Sequence, residues 1–233
     1  MSIAENVARI RSEMEAAALA CGRDPKEIQL CAATKMNDAD AVRQAIAAGV
    51  DCCGENRVQE LTVKLAQNAY EGAPVHFIGH LQTNKVKYIA PYVSMIEAVD
   101  SLKLLKEIEK QGAKNNRVID VLLELHIAEE ETKYGLTLDA CRQLLEEGEW
   151  RNMAHVRICG LMMMASYVED EAQIRQEFRT AHNFFDEVKQ RYFAESPYFT
   201  QRSWGMSHDY PIAVEEGSTM VRVGTAIFGP RVY

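Results

Sequence analysis

The sequence has no dense run of basic residues, no C-x-x-C pair, no N-x-[ST] sequon, no low-complexity tract and no short-period repeat. It also lacks any apolar stretch near the roughly 18 residues that a transmembrane helix needs, so none is expected. Its opening, MSIAENVARIRSEMEAAALACGRD, interrupts its apolar residues with charge too often for a signal peptide. Positive charge is in deficit: 26 Lys+Arg stand against 34 Asp+Glu, a formal charge of −8. Such a chain has no field to draw in phosphate backbones, and nucleic acid is not an expected partner. A local anion pocket made of backbone N–H groups is still compatible with an acidic protein. Cysteine is too scarce for a disulfide scaffold: Cys21, Cys31, Cys52, Cys53, Cys141 and Cys159 are the only six in 233 residues. Reduced thiols, a cytoplasmic location and no metal site are the expectation.

What the chain does have is apolar residues at 47% against 26% charged, ample for a packed core and too apolar for disorder. They fall in an alternation of helical and strand patterns. Ile3, Val7, Ile10 and Met14 lie three to four apart, which predicts an amphipathic helix over 3–21 ending near Gly22. Strands are expected at 28–35, 51–55, 76–80, 93–99, 117–127, 156–163, 203–206 and 220–228. Helices are expected in the gaps, the first capped by Asn37 or Asp38 and closed at Gly49. Apolar runs without alternation suit strands covered on both faces, as parallel strands are. Eight β-α units predict one domain over 1–233, a closed (β/α)8 barrel with an extra N-terminal helix. A doubly wound open sheet is the alternative.

Function in such a barrel gathers at the C-terminal ends of the strands. Lys35 ends the first strand, after the otherwise uncharged IQLCAAT. A lysine at the edge of an apolar core can lose its proton and form a Schiff base with a carbonyl, or it can simply reach out to solvent. Ser207 stands where a cap belongs, before a short helix that Gly217 would end, and Gly224 and Thr225 follow the eighth strand. Hydroxyls and free N–H groups at two adjacent strand ends suit a phosphate. Lysine opposite a phosphate cradle points to a phosphorylated aldehyde. Arg222 shares the parity of Gly224 and should point inward, facing a ligand ring nitrogen or pairing with a barrel acid such as Glu55 or Glu124.

Seven segments then carry a resemblance: AATK (32–35), GENRVQE (54–60), HFIGHLQTNK (76–85), TKYGL (132–136), GLMMMA (160–165), GMSHDY (205–210) and GSTMVRVGTAIFG (217–229). With them in this order, the chain resembles the pyridoxal phosphate homeostasis protein family, called proline synthase co-transcribed proteins in animals. The resemblance implies a barrel like the alanine racemase N-terminal domain, the third fold type of pyridoxal phosphate proteins. It implies pyridoxal 5′-phosphate bound as an internal aldimine on Lys35, with Ser207, Gly224 and Thr225 at the phosphate, Arg222 at the pyridine nitrogen and Asn56 beside the ring. Lys133, in TKYGL, matches a lysine that could receive the cofactor during loading or release, or it is a solvated loop lysine. Val75, His126 and Trp204 depart from the family pattern. Val75 and Trp204 are expected to concern packing, while His126 either faces the cofactor or is held within the barrel.

The function implied is a non-catalytic carrier that buffers the cofactor or delivers it to pyridoxal-phosphate-dependent apoenzymes. An arginine at the ring nitrogen leaves the ring a weak electron sink. Two other readings stand beside it. A racemase needs an acid/base on each face of the ring, and a cofactor-free Schiff-base aldolase needs a carboxylate near Lys35, for which Glu55 is the candidate. The chain stops at Tyr233, five residues past Phe228. A further β domain supplying a second base is therefore not expected, and a monomer is.

Overall fold

The computed structural model describes residues 1–127 and 134–230. Helix α1 spans Ile3–Ala20 and starts with a capping box, in which the Ser2 hydroxyl accepts from the Glu5 N–H and the Glu5 carboxylate accepts from the Ser2 N–H. The strands are β1 (Gln29–Ala33), β2 (Cys52–Glu55), β3 (Val75–Phe77), β4 (Met95–Val99), β5 (Ile119–Leu125), β6 (Val156–Met163), β7 (Gln201–Ser203) and β8 (Met220–Val223). Each pairs in parallel with the next, and β8 returns to β1 with Arg222 opposite Cys31, so the sheet closes on itself. An open doubly wound sheet is excluded. Outside the strands run α2 (Ala39–Ala47), α3 (Val58–Ala66), α4 (Val86–Ile89), α5 (Leu102–Lys114), α6 (Leu138–Glu147), α7 (Glu171–Tyr192), α8 (Tyr210–Glu215) and α9 (Thr225–Phe228). Among the described residues, no helix is long and apolar enough to cross a membrane.

The N-terminal helix is less an addition than a replacement. The helix after β8 has only four residues, too short to cover a strand. Instead α1 packs Val7, Ile10, Met14 and Ala18 against Leu30 and Ala32 of β1, Val221 and Val223 of β8, and Tyr210 and Val214 of α8. It thereby fills the eighth place in the helical ring.

Alternation within each strand divides the apolar residues between two layers. Phe77, Ile96, Val121, Leu123 and Leu161 face the helices, together with Val75 and Trp204, so those two departures from the family pattern concern packing as expected. Cys31, Cys52 and Met220 form one small interior cluster, and Met95, Ala98, Leu122, Cys159 and Met162 another. One glycine is obligatory here. The register of β6 against β5 shifts between Ile158 and Gly160, and a Cβ on Gly160 would lie 1.8 Å from the Gln201 carbonyl oxygen. Only glycine lets β7 approach this closely.

Two of the expected strands are corrected. The last one ends at Val223, and 225–228 turn into α9 because the Ser207 hydroxyl accepts hydrogen bonds from the N–H groups of Gly224 (3.1 Å) and Ala226 (3.3 Å). The seventh lies at 201–203 rather than 203–206, because Gly205 leaves extended geometry at φ +99°.

Candidate functional site

The mouth of the barrel is built from the residues just past each strand. After β1, Thr34 is pinned, donating its N–H to the Gly54 carbonyl at 2.9 Å. Two residues on, Met36 sits at φ +62°, a left-handed conformation unusual for methionine, and its N–H donates to Glu60 at 2.8 Å. The half-buried Lys35 is held between these two anchors at the rim. Asn56 follows β2 and is half-buried, and its Oδ1 is shielded from water with no hydrogen-bond partner among the described residues. Gly79 permits this approach of β2 and β3, since a Cβ there would lie 2.5 Å from the Asn56 carbonyl oxygen.

Beside β1 around the rim, at the ends of β7 and β8, Ser207 does not cap α8 as expected. Asp209 takes that place, and Ser207 instead caps α9, tying the β7 loop to the β8 loop. Its hydroxyl, Gly224 and the exposed Thr225 thus stand together on the β7–β8 side of the rim. His80, after β3, lies 3.3 Å from Asp100 and stacks on Tyr134 at 3.8 Å between ring centres. His126 is half-buried just past β5, its N–H donating to the Leu136 carbonyl. Lys133 lies outside the described residues. Lys85 is half-buried and lines a cavity of about 230 Å³ with Asn56 and His80.

Beneath the rim lies a polar core that the sequence only partly announced. Arg222 points inward as expected and is 4% exposed. One terminal nitrogen donates to the Ser203 carbonyl (2.7 Å) and hydroxyl (2.6 Å), and the other donates to the Met163 carbonyl (2.9 Å). The acid beside it is Glu97 of β4, at 3.8 Å, rather than Glu55 or Glu124. Glu97 is fully buried and accepts from His76 Nδ1 at 2.7 Å and Ser203 Oγ at 2.6 Å. Burial opposes charge on both partners, yet the His76–Glu97 hydrogen bond and their mutual attraction prevail. They leave the imidazole's pKa raised and the carboxyl's lowered. A charged residue amid the apolar MIEAV was the signal for Glu97.

Cys31, Cys52 and His76 also bring three metal-capable donor atoms within 4.8 Å of one another below this network. They come from three strands, so no local spacing could reveal them. The His76 Nδ1 is already engaged by Glu97.

Glu55 is not at the mouth. It shares the outward parity of Cys53, and its Oε1 accepts from Thr34 Oγ1 (2.5 Å), Lys64 Nζ (2.5 Å) and Tyr70 OH (3.2 Å) behind the sheet. The carboxylate wanted beside Lys35 for aldolase chemistry is therefore turned away. Glu124, by contrast, is inward and 3% exposed, with Oε2 lacking any hydrogen-bond partner among the described residues. Burial, helped by Asp100, pushes its carboxyl up to about 7 against the pull of Arg222.

Residues 2–232 match the family described as "Alanine racemase, N-terminal domain". Over 233 residues the chain is 36% identical to the pyridoxal phosphate homeostasis protein of Aquifex aeolicus (strain VF5), covering all of both chains. It is 35% identical to the protein of the same name from Escherichia coli (strain K12), covering 99% of this chain and 97% of that one. Among solved structures, PipY of Synechococcus elongatus PCC7942 with PLP bound superposes with a TM-score of 0.84 at 32% identity, covering 98% of this chain and 100% of PipY. An alanine racemase of Clostridium difficile 630 has a TM-score of 0.68 at 12% identity, covering 96% of this chain and 57% of that one, a likeness of fold alone.

Proposed function

The chain belongs to the pyridoxal phosphate homeostasis protein family, built on the alanine racemase N-terminal domain, and we propose that it holds pyridoxal 5′-phosphate as a Schiff base on Lys35. The observation that carries this reading is convergence at one rim. Lys35 ends β1, while the Ser207 hydroxyl and the Gly224 and Ala226 amides meet at the ends of β7 and β8. Asn56 Oδ1 and Glu124 Oε2, buried without a hydrogen-bond partner among the described residues, support the fit, because a ligand group is one way such atoms are satisfied. When bound, the cofactor supplies an aldehyde and a conjugated ring.

In this reading Ser207, Gly224 and Thr225 hold the phosphate, and Asn56 lies beside the ring. Arg222 faces the ring nitrogen, its guanidinium fixed by Ser203, Met163 and Glu97. A guanidinium does not give up a proton near neutrality, so the nitrogen opposite it stays unprotonated and the ring withdraws electrons weakly. That favours storage over catalysis. The protein then buffers the cofactor or delivers it to apoenzymes in the cytoplasm, acting as a single-domain monomer, and Lys133 receives it during loading or release. The racemase alternative rests on fold alone, and the aldolase alternative loses its carboxylate to Lys64.

Titration of the purified protein with pyridoxal 5′-phosphate tests this. A visible absorption band should appear and saturate. Ser207→Ala should keep the band but weaken affinity about tenfold, since a hydrogen bond to a charged group contributes about 1.5–3 kcal/mol. Pyridoxal, which lacks the phosphate, should not distinguish the two proteins. A chain that develops no band refutes cofactor binding, and a Ser207→Ala variant with unchanged affinity removes the phosphate site.

A further inference from the structure

We propose that Glu124 contacts the bound cofactor through its free carboxyl oxygen and makes retention of that cofactor pH-dependent, an inference that rests on the reading above. Three observations converge on Glu124. It faces the barrel interior, between Leu123 and Leu125, which pack outward, and above Leu122, which packs inward. It is 3% exposed, so water does not satisfy it. Its Oε2 finds no hydrogen-bond partner among the described residues; Glu55 Oε2 shares that state, but its Oε1 accepts from three side chains behind the sheet, and buried Glu97 accepts from two, so Glu124 is the inward-facing acid left open.

The charged and titratable groups around it come from several strands. Asp100 follows β4 and raises its proton affinity, and Arg222 of β8 lowers it. Arg222 is itself engaged by Ser203, Met163 and, at 3.8 Å, Glu97. Asp100 is in turn 3.3 Å from His80 of the β3 loop, and His126 lies two residues on along the β5 segment. Burial is the larger cause in holding the carboxyl up to about 7.

The cofactor's own chemistry supplies the missing partner. Its phosphate arm and its phenolic oxygen flank the aldehyde carbon on opposite sides of the ring. A cofactor held by its phosphate at the ends of β7 and β8 and by its aldehyde at Lys35 would present its phenolic oxygen to residues facing the mouth. Asn56, just past β2, and Glu124, on the inward face of β5, each carry an oxygen with no hydrogen-bond partner among the described residues. A protonated Glu124 donates a hydrogen bond to a phenolate oxygen. An ionised Glu124 presents a second anion to it. Retention therefore weakens as pH rises through the carboxyl's range.

The test is the affinity for pyridoxal 5′-phosphate, read from the visible band near pH 6 and near pH 8, for wild type, Glu124→Gln and Glu124→Leu. Other groups on the cofactor and on Lys35 also respond to pH, so the comparison is between proteins. Wild type should lose about tenfold more affinity over the interval than Glu124→Gln, whose amide donates at both pH values. Glu124→Leu should bind weakly at both, like wild type at the higher pH. Equal losses in wild type and Glu124→Gln would overturn the proposal while leaving the cofactor site standing. If Glu124→Gln does not fold, wild-type affinity that is unchanged between the two pH values overturns it equally. A protein that forms no band at either pH fails the reading beneath it, and this inference with it.

Discussion

Glu97→Leu should lower folding stability by about 3–5 kcal/mol, because it leaves two buried cations without their anion. His76 and Arg222 are 6% and 4% exposed, and Glu97 lies 2.7 Å from the first and 3.8 Å from the second. Urea unfolding of wild type and variant measures the loss directly. The same pair predicts a pH dependence. The lowered carboxyl pKa of Glu97 contributes stability that is present above the ordinary 4.5 and is lost as pH falls through the folded value. The raised pKa of His76 contributes stability that is fully present below the ordinary 6.5 and is lost as pH rises through its folded value. Wild type should therefore lose stability on acidification below about 4.5, and Glu97→Leu should follow a flatter curve. Cofactor affinity should fall in the same variant, since Arg222 loses the acid beside it. A loss of stability under about 1 kcal/mol would mean that water or rearrangement replaces the carboxylate, contrary to this account.

The second large effect lies behind the sheet. Lys64→Met should lower stability by a comparable amount, about 3–5 kcal/mol, by stranding the fully buried Glu55. Lys64 Nζ donates to Glu55 at 2.5 Å and to the Thr34 carbonyl at 2.7 Å, one residue before Lys35. The pair thus braces the segment that presents the candidate lysine. Tyr70, whose hydroxyl also donates to Glu55, has its pKa raised by burial and by that carboxylate, so it stays a neutral donor and does not replace the positive charge of Lys64. A double variant, Lys64→Met with Glu55→Leu, should recover much of the loss, because removing both charges leaves neither stranded. Thermal unfolding of the four proteins reads the coupling. Additive single losses would contradict an ion pair.

Much of the fold was legible in the chain. The run VRICGLMM matches β6 residue for residue, the Asp38 side chain caps α2 through the Ala41 N–H, and Gly148 ends α6 in a left-handed turn. These features are local, and local spacing records them. What escaped depended on contacts between distant residues. The segment TAIF looks like a continuation of β8. It becomes a helical turn because a hydroxyl 17 residues earlier in the chain binds the Gly224 amide. Glu55 stands at a strand end and so invited a catalytic reading, yet strand parity places it with outward Cys53 and away from the mouth. Glu97 went unremarked because its partners, His76, Ser203 and Arg222, belong to three other strands. That Lys35, Asn56, Ser207 and Gly224 share one rim, as distinct from what they do there, was readable because strand ends in a barrel converge on one mouth whatever their separation in sequence.

The central claim is the identity of the lysine that carries the cofactor. Full-length protein loaded with pyridoxal 5′-phosphate should be reduced with borohydride, digested, and its peptides sequenced by mass spectrometry. Borohydride converts an imine into a stable secondary amine and so fixes the attachment point. The label is expected on Lys35, with the visible band abolished by the reduction and absent from Lys35→Ala. A label carried by Lys64, Lys85 or Lys133 with Lys35 unmodified, or no labelled peptide at all, would contradict the account.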